Sequence, residues 1–247
     1  MIFGETGAGK SSVVNLMVGR QVAKVSPDSQ RCTLHWEEYV VTLDNGTQYR
    51  IFDTVGLEEP HLESKDYLSA ITNAYDLVNA LKERGGISLL LFCIRGGRVT
   101  ATMKSNYRLF FECLCEEKVP LALIITNLER EKVMEDWYTR NVGYLEKRNI
   151  HSVGHACITA ATTLDGRHRD KYEESRKIVC SVIQAHCNIL MEGWTGGHVW
   201  FASLVSKLMD FVLGQPKQTD VTEVLMKRCG MAKGAAQQMV QLIRGGN

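Results

Sequence analysis

Residues 4–11 read Gly4-Glu5-Thr6-Gly7-Ala8-Gly9-Lys10-Ser11, which fits the pattern G-x-x-x-x-G-K-[ST] in full. These residue types at this spacing suit the holding of phosphate. Glycines let successive backbone N–H groups turn inward as an anion nest, and a helix that follows adds partial positive charge at its N-terminus. Glu5, Thr6, Gly7, Ala8 and Gly9 form the nest, and Lys10 is the cation for β- and γ-phosphates. The Ser11 hydroxyl suits Mg²⁺, with Ser12 beside it in the first helical turn. An apolar stub, Met1-Ile2-Phe3, precedes the motif, and the helical stretch Ser12-Val13-Val14-Asn15-Leu16-Met17 follows it. The chemistry needs that placement. Only three residues precede Gly4, whereas a strand has about 5–6, so a missing segment upstream is expected.

A phosphate loop alone does not choose the nucleotide; the residues downstream do. Asp53-Thr54-Val55-Gly56 ends a β-like run and matches D-x-x-G, in which the Asp holds Mg²⁺ through water and the Gly56 N–H meets the γ-phosphate. Thr33, in the polar connection before that hairpin, is placed to close on Mg²⁺ when a γ-phosphate is present. Thr126-Asn127-Leu128-Glu129 follows an apolar strand where [N/T]-K-x-D is expected. Asn127 stands in place of the usual Lys, and Glu129 in place of the usual Asp. A carboxylate at Glu129 can accept both N1–H and the N2 amine of guanine, and adenine offers no such pair of donors. The expected cofactors are GTP or GDP with Mg²⁺. The catalytic roles fall on Lys10, Thr33 and Gly56, and the metal on Ser11, Thr33 and Asp53.

Between these boxes, short β-like runs alternate with amphipathic helices. Strands are expected at residues 1–3, 36–43, 48–52, 87–94, 121–126 and 155–159, with Asp44-Asn45-Gly46 as a hairpin turn. Helical stripes run through Leu68, Ile71, Tyr75, Val78 and Leu81, through Met103, Tyr107, Phe110 and Leu114, and along residues 170–190. On the last of these His186 falls in a core stripe. Such alternation implies an α/β fold, with helices on both faces of a mostly parallel six-stranded sheet, one strand antiparallel and the first strand truncated. From residue 193 the pattern becomes purely helical. The expected division is a domain over residues 1–192 and a helical C-terminal extension over 193–247.

Composition narrows the partners. With 29 Lys and Arg against 28 Asp and Glu, the net charge is +1, which excludes a generally basic nucleic-acid or membrane coat. No run approaches the ~20 apolar residues of a membrane span. Neither a signal peptide nor a lipidation motif is apparent, so a cytoplasmic protein with reduced thiols is expected. His151, His155 and Cys157 have loose spacing and no fourth ligand nearby, which argues against zinc.

Taken in order, these boxes resemble those of a septin-related GTPase of the translation-factor class. The likeness extends to the immunity-associated nucleotide-binding proteins and the chloroplast-import receptor GTPases. A group of fungal G-domain proteins is similar over Ile2–Gly7, Asp53-Thr54-Val55-Gly56-Leu57-Glu58-Glu59-Pro60 and Leu91-Phe92-Cys93-Ile94-Arg95-Gly96-Gly97-Arg98. Asn106-Tyr107-Arg108-Leu109-Phe110-Phe111 and Gly154-His155-Ala156-Cys157-Ile158-Thr159-Ala160 belong to the same likeness. The resemblance implies a P-loop GTPase fold, with phosphate and Mg²⁺ roles on Lys10, Ser11, Thr33 and Asp53 and guanine reading on Glu129. It also implies a GTP-dependent homodimer through the nucleotide faces. Cys157-Ile158-Thr159 sits where the fifth box backs the base, without matching a strict pattern. Two other readings stay open: a structural subunit that retains GTP without hydrolysing it, and a P-loop ATPase or kinase.

Overall fold

The computed structural model describes residues 1–23, 36–54, 77, 80, 81, 83–97, 100–161, 166–187 and 193–195. Six strands form one sheet: β1 (Ile2–Gly4), β2 (Trp36–Thr42), β3 (Gln48–Thr54), β4 (Leu90–Arg95), β5 (Leu121–Thr126) and β6 (Gly154–Cys157). Their spatial order is β2-β3-β1-β4-β5-β6. Among these strands only β2 and β3 pair antiparallel, in continuous register from Trp36↔Thr54 to Thr42↔Gln48; the other pairs are parallel. The hairpin forms as Asp44-Asn45-Gly46 predicts. Gly46 takes φ 79°, and the Thr47 N–H donates to the Asn45 side chain at 3.0 Å.

The helices are α1 (Lys10–Val18), α2 (Ala101–Tyr107), α3 (Asp136–Glu146) and α4 (Arg169–His186). A π-helical segment, Arg108–Leu114, continues α2 directly. Alternation along the strands assigns the helices to two faces. Ile2, Leu91, Cys93 and Ile124 face one side, in a buried cluster with Val13, Leu16 and Met17 of α1 and Val179 and Ile183 of α4. On the other side Phe3 stacks on Phe92 at 4.8 Å and packs on Phe110 at 4.6 Å. Each such ring pair contributes about 0.5–1.5 kcal/mol beyond the area it removes from water. All three residues of β1 are buried, and the strand lies between β3 and β4.

Helix α3 is absent from the sequence expectation for a plain reason. It buries only Trp137 and Leu145, so its apolar stripe is too sparse to read. Several strand boundaries also move, two of them by two residues or more at an end with a visible cause. Residues 87–89 are not part of β4: Ile87 instead pairs with Trp194, exchanging two backbone bonds of 2.9 Å. Strand β6 ends at Cys157, two residues early: the Ile158 N–H still donates to Ile125 of β5 at 2.8 Å, but its carbonyl accepts from Leu128, and the Thr159 N–H turns to Ser175. The stripe from Leu68 to Val78 lies outside the described residues. So does the helical extension, apart from residues 193–195. Among the described residues, no helix is long and apolar enough to cross a membrane.

Candidate nucleotide-binding site

The phosphate loop leaves β1 in the middle of the sheet and enters α1. Gly4 is obligatory there: its φ is 148°, and a Cβ would meet the Cys93 carbonyl oxygen at 2.1 Å. Gly9 turns the chain into the helix at φ 87°. Between them the Ala8 N–H donates to the Glu5 carbonyl at 3.1 Å, and the Thr126 hydroxyl donates to the Ala8 carbonyl at 2.8 Å. The end of β5 thus braces the loop from below. Thr6 and Gly7 stay exposed at its crest, and Ser12 is half-buried in the first turn of α1. Glu5 turns its carboxylate aside to the hydroxyl of Thr100, which also caps α2 by accepting from the Met103 N–H at 3.0 Å.

Lys10 is buried at 7% exposure and folds back over the loop. Its Nζ donates to the carbonyls of Gly4 (3.1 Å) and Glu5 (3.0 Å). Burial lowers its pKa below the usual lysine value, against the pull of nearby acidic groups including Asp53. Ser11 donates its hydroxyl to Asp53 Oδ2 at 2.7 Å. Asp53, the residue of β3 in register with Ile2 of β1, therefore brings the second box onto the first. Its other oxygen, Oδ1, is buried without a hydrogen-bond partner among the described residues. Burial pushes the Asp53 carboxyl above its ordinary value, more than the Ser11 bond and Lys10 pull it down. A partnerless buried carboxylate oxygen beside a serine hydroxyl fits a hard divalent cation, which takes oxygen donors of this kind. Ser11 and Asp53 are the residues that would hold Mg²⁺; the ion would neutralise phosphate charge.

An expectation about stability follows from that orphaned oxygen. A raised carboxyl value means the nucleotide-free fold gains stability as pH falls through it and carries the full cost of the ionised group above it. Asp53→Asn should therefore raise the melting temperature of the nucleotide-free protein near neutrality by about 2–4 °C, the shift that roughly 1 kcal/mol gives a chain of this size. The same change should abolish stabilisation by added Mg²⁺ with GDP. Thermal melts of both proteins from acid to neutral pH check this, since the difference must shrink as pH falls through the raised Asp53 value and vanish below the ordinary carboxyl value.

The base side is assembled from three elements. Asn127 is exposed, with φ 65°, and turns the chain out of β5. Leu128 is buried, and its N–H donates to the Ile158 carbonyl at 3.2 Å. Glu129 is half-buried, and Thr159 donates its hydroxyl to Glu129 Oε2 at 3.3 Å. Thr159 is itself held by Ser175 of α4, whose Oγ accepts from the Thr159 N–H at 3.0 Å. The structure thus brings Glu5, Thr6, Gly7, Ala8, Gly9, Lys10, Ser11, Ser12, Asp53, Asn127 and Glu129 to one edge of the sheet, beyond the C-terminal ends of its parallel strands. Thr33 and Gly56 lie outside the described residues.

Sequence reasoning assigned Thr126 and Thr159 no such supporting parts. Thr126 was visible only as the first letter of its box, and Thr159 as part of an imperfect one. Elsewhere, His155 bonds Glu135 at 2.5 Å and stacks on Tyr138, away from these boxes. Burial pushes the Cys157 thiol up to about 12, which keeps it protonated.

A sequence model of a protein family described as "50S ribosome-binding GTPase" matches residues 1–127. No curated protein sequence matches the chain. Among solved structures, a variant of Era from Aquifex aeolicus bound to GDP.AlF4- is similar at 15% identity and a TM-score of 0.54, over 99% of this chain and 88% of that one. Era in complex with MgGDPNP and nucleotides 1506-1542 of 16S ribosomal RNA gives 16% identity and 0.55 over the same shares. Toc33 from Arabidopsis thaliana, in complex with GDP and Mg2+, gives 17% identity and 0.51 over 76% of this chain and 84% of that one. At such identities the likeness is one of fold: a six-stranded, mostly parallel sheet with one antiparallel pair.

Proposed function

The chain belongs to the GTPase family described as 50S ribosome-binding GTPase, and on that premise we propose a Mg²⁺-dependent guanine-nucleotide switch with slow GTP hydrolysis. One observation carries the proposal. Ser11 and Asp53, from separate boxes, meet at 2.7 Å beside the buried Lys10, with one Asp53 oxygen left unpartnered among the described residues. In this reading the loop from Glu5 to Ser12 cradles the phosphates, Lys10 neutralises the β- and γ-phosphates, and Ser11, Thr33 and Asp53 serve Mg²⁺. Gly56 meets the γ-phosphate and Thr33 closes on it, so that the γ-phosphate sets the state of both loops. Asn127 and Glu129 face guanine. The working unit is a G domain over residues 1–192, followed by a helical extension over 193–247, in a cytoplasmic protein of septin-related type. In this reading the chain is kin to the fungal G-domain group.

A second reading is a subunit that keeps GTP for assembly and does not turn it over. Leu57 favours it: the residue after D-x-x-G has no polar atom with which to orient a water. Competition of GTP against ATP for the full chain, with and without Mg²⁺, tests both. Equal affinities would remove guanine from the proposal and restore the ATPase or kinase reading.

Glu129 gives a sharper form of that test. Glu129→Ala should weaken GTP binding by about 1.5–3 kcal/mol, the range of hydrogen bonds to a charged group, and leave ATP binding unchanged. Titration of the two nucleotides against parent and variant measures the difference directly.

A further inference from the structure

We propose that Lys171 of α4 is a positioning residue for guanine recognition, fixing from outside the box the backbone of a segment in which Asn127 stands in place of the usual lysine. The inference rests on the guanine-binding reading above. Position 127 is an exposed Asn in a left-handed turn, not a long cation lying along the loop. The segment it opens is tied down by other groups. At its start, the Leu128 N–H is held by Ile158. Further along, Arg140 bonds the Glu131 carboxylate at 2.7 Å. Between these two points runs the backbone that aims Glu129.

Lys171 spans that gap. Its Nζ donates to the Glu129 carbonyl at 3.1 Å and, in a shorter bond, to the Glu131 carbonyl. Both bonds end on backbone oxygens, so the Glu129 carboxylate is left to the Thr159 hydroxyl and the base. An ammonium suits this role, because it has three donors and no acceptor, and two carbonyls two residues apart can be gathered on one nitrogen.

The same turn of α4 secures the other half of the base wall. The Ser175 hydroxyl donates to the Lys171 carbonyl at 2.6 Å and accepts from the Thr159 N–H. Lys171 and Ser175 are four residues apart and so lie on one helix face. Through them α4 fixes the backbone of Glu129 and the backbone of the residue that orients Glu129. Lys171 and Ser175 bond the segments that carry Glu129 and Thr159, whereas α4 meets α1 further along, through Val179 and Ile183. The effect of Lys171 should fall on the choice of base and spare the phosphates.

The test uses the full chain and calorimetric titration with GDP and with ADP, in Mg²⁺. Lys171→Met keeps the apolar stem and removes the donors. It should lower GDP affinity by about tenfold or more, as expected for a binding group displaced by a fraction of an ångström, and leave ADP affinity unchanged. Lys171→Arg, which keeps charge and donors, should restore the GDP preference. Lys171→Gln, with two donors and no charge, should fall between, and serves if the Met variant does not fold. An unchanged GDP-to-ADP ratio in Lys171→Met, in a parent that prefers GDP, overturns the role of Lys171 alone. Equal losses for both nucleotides in the Met and Gln variants also overturn it, as a merely structural contact. A parent without guanine preference overturns the underlying reading along with it.

Discussion

Lys10→Ala is expected to weaken GDP and GTP binding by about 2–4 kcal/mol, roughly 30- to 1,000-fold. The side chain is buried beside the loop, and its two bonds to the carbonyls of Gly4 and Glu5 hold the ammonium at the mouth of the nest. Phosphate oxygens arriving there meet a cation that has already lost much of its water, so the attraction is larger than at the surface. The sign of the pH effect follows from the lowered lysine value. A cation disfavoured by burial costs the nucleotide-free fold stability at low pH, and that cost lifts as pH rises through the lowered value. Alanine removes the cost, so the nucleotide-free variant should melt no lower than the parent. Bound phosphates favour the charged form, so parent affinity should fall at alkaline pH and variant affinity should not. Fluorescent GDP titrations across pH, paired with melts, check all three. Parental affinity in Lys10→Ala would place the phosphates elsewhere.

The elements that could be read from sequence are those whose residues carry their own instructions. The phosphate loop was legible because Gly4 and Gly9 stand where only glycine fits and Lys10 needs a fixed distance from both. The hairpin was legible through Asn45 and Gly46, and β5 through six consecutive buried residues. Helix α3 was not, because a helix that buries two side chains has almost no periodic signal. The π-helical turn after Tyr107 was not, because the stripe of Met103, Tyr107 and Phe110 fits an α-helix nearly as well. Support within the site was the least legible part. Thr126 braces Ala8 across 118 residues of sequence, and Lys171 reaches Glu129 across 42. Contacts so distant in the chain leave no local pattern; only the strand order that joins them reveals the partnership.

Hydrolysis is expected to be slow in the monomer and to rise by as much as ~10³–10⁵-fold when a second copy or a partner completes the site. In the proposed reading, the described site meets phosphate charge through Lys10 and Mg²⁺ through Ser11 and Asp53. It offers no group for the attacking water. The residue after Asp53-Thr54-Val55-Gly56 is Leu57, and an apolar side chain cannot hold a water in line with the γ-phosphate. That role must fall to Glu58 or Glu59 in the same chain, or to a group supplied across the open edge of the sheet. Arg95 is exposed at the end of β4, on the same edge as the phosphate loop, and is a cation that a facing copy can receive. A shared site of this kind makes rate depend on encounter. Specific activity per molecule should therefore climb with protein concentration in Mg²⁺ and GTP, together with a GTP-dependent increase in mass by light scattering. Arg95→Ala should flatten the climb while leaving the affinity of the monomer for GDP unchanged, because the side chain would act on the opposite subunit's nucleotide. A fast turnover that stays constant from dilute to concentrated protein, with no change in mass, would defeat the shared site. The water would then belong to an intrachain carboxylate, and Glu58→Gln would be the variant that stops it.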